Sequence, residues 1–174
     1  VTINCEQDPN DLTLTGDVTD EADNCDTTLE ATFSDATAAG ACENEAIITR
    51  TWTLTDNCDN ITTLVQTITI EDNTAPDISA CNVTDQTVDC TADQNQNIAD
   101  QWNADNIAAL EACATDNCDT SFNGQVTSDY DYNNLNTVCG PCGNITVTYT
   151  VADNCGNTST VTATLSFGDT TGPD

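Results

Sequence analysis

The sequence contains no histidine, no methionine and only one basic residue, Arg50. Without histidine, Cys/His zinc sites and the Ser-His-Asp and Cys-His catalytic arrangements are impossible. No glycine-rich phosphate loop is present. No apolar run approaches the roughly 20 residues that a membrane-spanning helix needs. These absences argue against an enzyme and against membrane insertion.

The charge is almost entirely of one sign. Thirty Asp and Glu residues stand against that single arginine, which gives a formal net charge of -29. Internal salt bridges cannot neutralise this excess, so the cations have to come from solvent. The same charge repels phosphate backbones and anionic lipids, and it therefore argues against nucleic acid and membrane surfaces as partners.

Eleven cysteines are spread along the chain of 174 residues. This density is typical of proteins that fold in an oxidising compartment, so we expect disulfides and a secreted or cell-surface location. Because the count is odd, one thiol is expected to be unpaired or intermolecular. Cys139-Gly-Pro-Cys142 spells a thioredoxin-like motif, but a strand follows it and no basic neighbour is present, so we interpret it as a turn.

An internal repeat organises the chain. Residues 48–60 (ITRTWTLTDNCDN) align without a gap with residues 145–157 (ITVTYTVADNCGN), at an offset of 97 residues. The alignment continues to the closing segments DNTAPD and DTTGPD, and upstream the offset shrinks because the second copy carries insertions. We predict two modules, residues 1–75 and 76–174. The first module is expected to be incomplete at its N-terminus, and the natural protein to continue in both directions.

Each module is predicted to contain a β-hairpin. Ile48, Arg50, Trp52 and Leu54 alternate with threonines, as in a strand with one buried face. The same alternation recurs around the second Asp-Asn-Cys turn, which makes Trp52 and Tyr149 buried equivalents.

The fold class predicted from these patterns is all-β. Many short strands with frequent turns favour tandem immunoglobulin-like β-sandwiches. The largest insertion of the second module, about residues 95–113, has apolar residues at rough helical spacing and is predicted to form a short helix.

Two acidic Asp-Asn-Cys loops occur in each module, and in an immunoglobulin-like sandwich such loops emerge at the same end. They would gather carboxylate and amide oxygens, which Ca²⁺ prefers at about six to eight ligands. The alternative is a solvated turn in which Asp and Asn cap their own backbone. Together with the linker between modules, the loops give these candidate calcium ligands: Asp23, Asp26, Asp56, Asp59, Asn60, Asp72, Asp77, Asp116, Asp119, Asp153 and Asn157.

The same convergence of loops predicts the disulfides. Loops that share an end of a module would bring their cysteines together, which gives the pairs Cys25–Cys58 and Cys118–Cys155. Cys5 is predicted to pair with Cys42, and Cys90 with either Cys139 or Cys142.

The strings TRTWTLTDNCDN, VQTITIEDNTAPD and YTVADNCGN resemble the immunoglobulin-like, hyalin-repeat-like modules found in tandem in very large surface adhesins of Bacteroidetes, including gliding-motility adhesins. The resemblance implies exported, acidic or calcium-rich β-sandwiches strung into stalks, whose partners are neighbouring repeats of the same chain or filament. Many relatives place a cysteine just before the Q-T-I-T strand, where this chain has Leu64 and Val65. Cys81 is therefore left without an assigned partner.

Two functions are expected from these observations. The first is a structural repeat of a long extracellular adhesin or surface filament, with strand exchange between modules as a variant. The second is a glycan-binding module that grips carbohydrate through exposed aromatics at Trp102, Tyr130 and Tyr132. Threonine ladders also suggest an ice-binding face, but sandwich sheets twist and threonine is an ordinary solvent-facing strand residue.

Overall fold

The computed structural model describes residues 1–90, 95–140 and 142–169. The chain folds into two compact units, Val1–Asn73 and Thr74–Asp174, called unit 1 and unit 2 below. The division lies two residues before the module boundary predicted from the repeat.

Unit 1, which the structure describes in full, contains one mixed sheet of four strands and one short helix. The strands are β1 (Thr2–Asn4), β2 (Thr32–Ala39), β3 (Ala46–Thr55) and β4 (Ile61–Glu71), and α1 spans Leu12–Thr15. Their order is β1-β4-β3-β2, with β1 parallel to β4 and the other pairs antiparallel. The side chain of Asp11 accepts the Thr13 N–H and caps α1.

The predicted hairpin of unit 1 is formed by β3 and β4. Ile48, Arg50 and Trp52 are buried and Leu54 is half-buried, while Thr49 and Thr55 are exposed, so the alternation places one face of β3 inside. The apolar core beneath it is small, with Ile3, Ile48 and Ile68 as its buried members. Arg50 is the polar member of this buried face.

The described residues of unit 2 also form one mixed sheet. Its strands are β5 (Gln86–Asp89), β6 (Val126–Ser128), β7 (Asn136–Cys139), β8 (Cys142–Ala152) and β9 (Thr158–Gly168), and it carries helix α2 (Asn95–Cys113) and a 3₁₀ turn at Tyr132–Asn134. The order is β5-β9-β8-β6, with β7 pairing β8 as well, and β5 runs parallel to β9. β8 and β9 form the second predicted hairpin.

Helix α2 occupies the predicted insertion and covers one face of this sheet. Ala99, Trp102 and Leu110 are buried in one cluster with Tyr149 and other sheet residues. The rings of Trp102 and Tyr149 meet edge to face, with centroids 6.2 Å apart and an interplanar angle of 71°. A long helix that buries its apolar residues on a sheet explains why the core of unit 2 is larger than that of unit 1.

The repeat alignment is reproduced in the strand registers. Ile3 lies opposite Ile70 in unit 1, and the aligned Val88 lies opposite Phe167 in unit 2. Trp52 is 4% exposed and Tyr149 is fully buried, which confirms them as buried equivalents. The described part of the chain is mostly β-sheet with one long helix, so the all-β class with a helical insertion is confirmed. Among the described helices, none is both long and apolar enough to cross a bilayer.

The prediction that Trp102 is an exposed aromatic is wrong, because its side chain is 6% exposed and belongs to the core. Tyr130 and Tyr132 are half-buried against the same core. The Tyr130 hydroxyl donates a hydrogen bond to Asp100 at 2.5 Å. Burial is the larger cause and the Asp100 carboxylate the smaller cause of a raised pKa of this phenol. These rings do not form the exposed platform that the glycan-binding alternative required.

Candidate functional site

The two hairpin loops share one hydrogen-bonding pattern. In unit 1, Asp56 Oδ1 accepts the N–H groups of Cys58 and Asn60, each at 2.8 Å, and Asp56 Oδ2 accepts the Asn60 side-chain amide at 2.6 Å. In unit 2, Asp153 accepts the corresponding three bonds from Cys155 and Asn157, all at 2.8 Å. Each aspartate therefore holds its loop closed and presents the cysteine at the tip.

One residue of this loop has a left-handed backbone conformation, and its type differs between the two units. Asp59 has φ of 64° in unit 1, and the aligned Gly156 has φ of 91° in unit 2. Glycine adopts this conformation without steric cost, and aspartate tolerates it. Both residues are compatible with the same turn, so its shape is preserved.

The upstream loops of both units are Asx turns as well. Asp23 Oδ1 accepts the Cys25 N–H at 2.8 Å, and Asp116 Oδ1 accepts the Cys118 N–H at 2.8 Å. Among the described residues, no donor lies within hydrogen-bond distance of the second oxygen of Asp116, Oδ2, which is buried. All four predicted acidic loops thus have the self-capped geometry of the alternative interpretation, with one carboxylate oxygen left over in unit 2.

The two loops of unit 2 meet through Asp119. Its carboxylate accepts the backbone N–H of Asn154 at 2.8 Å and the Asn154 side-chain amide at 2.7 Å. An Asp119 oxygen also lies within 4.8 Å of an Asp153 oxygen, and both side chains are only 6% exposed. The loops therefore share one end of the unit, as expected, and place two buried carboxylates close enough to repel each other.

The two loops of unit 1 also lie side by side. Asp23, Asp56 and Asn60 line one cavity of about 80 Å³, together with Leu54. Asp56 is held by Asn60 and the loop backbone, and the side-chain hydrogen bond from Asn60 keeps the pKa of this carboxyl below its usual value.

The remaining predicted ligands differ in how far their side chains are buried. Asp26 and Asp72 are buried, at 9% and 4% exposure, whereas Asp59 and Asp77 are exposed. Asp77 accepts the Ser79 N–H at 2.8 Å, and this bond lowers the pKa of its carboxyl. In unit 2, Asp119 and Asp153 are the predicted ligands whose carboxylate oxygens lie within 4.8 Å of each other.

Four disulfides are present among the described cysteines, and two of them lie within unit 2. Cys90 pairs with Cys142, which confirms one of the two predicted partners, and the side chain of the other, Cys139, lies outside the described part of the chain. Cys81 pairs with Cys113 at the end of α2, a bond that the sequence could not assign because its partner lies in an insertion.

The predicted bond Cys25–Cys58 is wrong, since both residues are free, exposed thiols. Local loop geometry was expected to bring them into one bond, but each loop is closed by its own aspartate without that bond. Cys5, Cys42, Cys118 and Cys155 are each disulfide-bonded. The pairs Cys5–Cys42 and Cys118–Cys155 stay predictions.

Sequence reasoning missed a buried polar network in unit 1 that is centred on Arg50. Its guanidinium donates two bonds to Asp35, one to the Pro9 carbonyl at 3.0 Å and one to the Thr15 hydroxyl at 3.3 Å. It also lies over the Phe33 ring, 3.8 Å from the centroid. The signal for this network was in the sequence, because the chain's only basic residue lies on the same face of its strand as the apolar residues.

Residues 1–70 match the model of a family described as a HYR-like domain with 4 cysteines. HYR denotes the hyalin repeat, an extracellular module of the immunoglobulin-like type, and such modules serve structural or adhesive roles. The matched segment contains Cys5, Cys25, Cys42 and Cys58. This match and the four disulfides among the described cysteines together support a disulfide-stabilised extracellular module. No curated protein matches the chain.

Proposed function

We propose that this chain is a structural segment of a long extracellular adhesin or surface filament, built from tandem modules and stabilised by disulfides and bound calcium. The observation that carries the proposal is the repetition of one unit, since β1, β3 and β4 recur as β5, β8 and β9 with the same registers. A protein made of repeated small modules extends by adding units, and each unit presents its loops at a fixed position.

Calcium is part of the proposal because of the charge and its placement. The chain carries thirty acidic residues against one basic residue, and that arginine is already occupied by Asp35. In unit 2, oxygens of buried Asp119 and Asp153 lie within 4.8 Å of each other. Asp116 in the same pair of loops has one buried oxygen that no donor among the described residues reaches. A divalent cation held by such oxygens would relieve the repulsion. Neighbouring repeats of the same chain or filament are the proposed partners.

The experiment that tests the filament role is immunogold labelling of intact cells that make the protein. Antibodies raised against the purified segment should mark thread-like structures that extend from the cell surface. Cells permeabilised after fixation provide the matched control for internal protein. Label confined to the permeabilised cells, or spread evenly on a smooth surface without threads, would contradict the proposal.

A further inference from the structure

We infer that Cys25 and Cys58 are coupling points through which unit 1 forms disulfides with another module of the same repeat, supplied by a second copy of this chain. The inference rests on the proposed function and names the chemistry that would join its modules. Both residues are exposed and free, whereas eight other cysteines of the chain are oxidised.

The repeat indicates that these two positions are built for disulfides. Cys25 aligns with Cys118 and Cys58 with Cys155, and both residues of unit 2 are disulfide-bonded. An aspartate oxygen two residues upstream accepts the N–H of all four cysteines at 2.8 Å. The same turn therefore presents every one of these sulfur atoms. Because the same turn presents the cysteine in all four loops, we attribute the difference between the free pair and the oxidised pair to whether a partner sulfur lies within reach.

The surface beside the two loops fits a protein partner. Leu54 lines the cavity that Asp23 and Asp56 share, and it also lines a neighbouring cavity of about 260 Å³ together with Trp52 and Leu64. Leu64 is 61% exposed on the face that carries Trp52, although the aligned Val161 packs against the core of unit 2. An apolar groove next to two thiols offers contact area that a small thiol compound would not use.

A second copy matches this site because it presents the same pair of thiols. In a two-fold arrangement, Cys25 of each copy faces Cys58 of the other, and both bonds form at once. Each bond joins two sulfur atoms and releases two protons and two electrons, which a small-molecule disulfide such as oxidised glutathione accepts as it is cleaved to two thiols. The acidic loops of the two copies repel each other, so coupling requires screening by salt or bound cations.

The test uses the full chain, mixed as isotopically labelled and unlabelled copies in a glutathione redox buffer with about 1 M salt, where the screening length is about 3 Å. The expected product is a reducible dimer at twice the 18.4 kDa chain mass, with peptides that join the Cys25 and Cys58 loops of differently labelled copies. The C25S/C58S variant should stay monomeric, and Leu64→Asn should lower the dimer yield while both thiols remain. Far-ultraviolet circular dichroism checks that each variant is folded.

Three outcomes would overturn the inference. They are a monomer with an internal Cys25–Cys58 bond, a monomer that carries glutathione on these residues, and thiols that remain open to alkylation after oxidation. A dimer that persists in C25S/C58S would contradict it as well. None of these results affects the immunogold test, so failure of the coupling and failure of the filament role are distinguishable.

Discussion

Arg50 and Asp35 form a two-point ion pair across strands β3 and β2, with Nε–Oδ1 and Nη2–Oδ2 distances of 2.9 Å each. The arginine is fully buried, while the Asp35 side chain keeps 23% of its exposure. The residue of unit 2 that aligns with Arg50 is Val147, which is also fully buried and belongs to the apolar core. The two units thus fill the same core position by different chemistry.

Removing the partner of the buried arginine should destabilise unit 1. Asp35→Ala is expected to lower the free energy of unfolding by about 3–5 kcal/mol, since a buried charge would lose its counterion. Urea unfolding followed by Trp52 fluorescence in a Trp102→Phe background measures unit 1 alone, because the chain has two tryptophans. The double variant R50V/D35A should recover part of the loss. A double variant no more stable than Asp35→Ala would sink the buried-charge explanation.

The same pair predicts how unit 1 responds to acid. The hydrogen bond from Arg50 holds the pKa of Asp35 below its ordinary value of 3.8. A carboxyl with a lowered folded pKa contributes stability above its unfolded pKa and loses that contribution as the pH falls through the folded value. Unit 1 should therefore lose stability below about pH 4. Asp35→Asn should flatten this dependence, whereas Asp105→Asn on α2 should leave it unchanged. Equal acid sensitivity of the two variants would contradict the assignment.

Helix α2 should be required for the stability of unit 2. Trp102→Ala removes a buried ring that packs on Tyr149 and is expected to cost about 3–5 kcal/mol. Val138→Ala is the matched control, because Val138 is 78% exposed and its truncation should change stability by less than about 0.5 kcal/mol. Hydrogen exchange of β8 and β9 amides measures both variants. Comparable protection in the two variants would show that α2 is dispensable.

Peptide mapping without reduction should recover two cross-linked pairs from unit 2, Cys81–Cys113 and Cys90–Cys142. The pairs span 32 and 52 residues of sequence, so each is expected to stabilise the fold by about 4 kcal/mol through restriction of the unfolded chain. Cys25 and Cys58 should react with an alkylating agent in the freshly purified, unoxidised protein. A peptide that joins Cys25 to Cys58 before oxidation would contradict the arrangement of the thiols.

Calcium should raise the melting temperature of unit 2 and chelation should lower it. A ligand that binds only the folded state stabilises it by about 2.7 kcal/mol at a hundredfold excess over its dissociation constant. Asp153→Asn should abolish the calcium effect, because it removes one of the two buried carboxylates, while Asp105→Asn should preserve it. Sodium chloride at matched ionic strength separates general screening from specific binding. If sodium chloride reproduces the whole shift, the loops are a solvated surface.

The sequence by itself determined the two hairpins, the inserted helix and the modular repeat. Alternation of apolar residues and threonines fixed the faces of β3, β8 and β9, since a strand has a side-chain period of two. Asp-Asn-Cys turns fixed both hairpins, because these side chains cap their own backbone. The helix at residues 95–113 was predicted from its spacing. These features depend on neighbours along the chain, and neighbours are visible in the sequence.

Only the tertiary structure decided which groups meet across the fold. It placed Asp35 beside Arg50, packed Trp102 of α2 against Tyr149 of the sheet, joined Asp119 to Asn154, and paired Cys81 with Cys113. Each contact links residues far apart in sequence, and its geometry depends on strand register and on where an inserted helix packs. A one-residue change of register would turn Arg50 to solvent without altering any local pattern. Spacing along the chain carries no information about these distances.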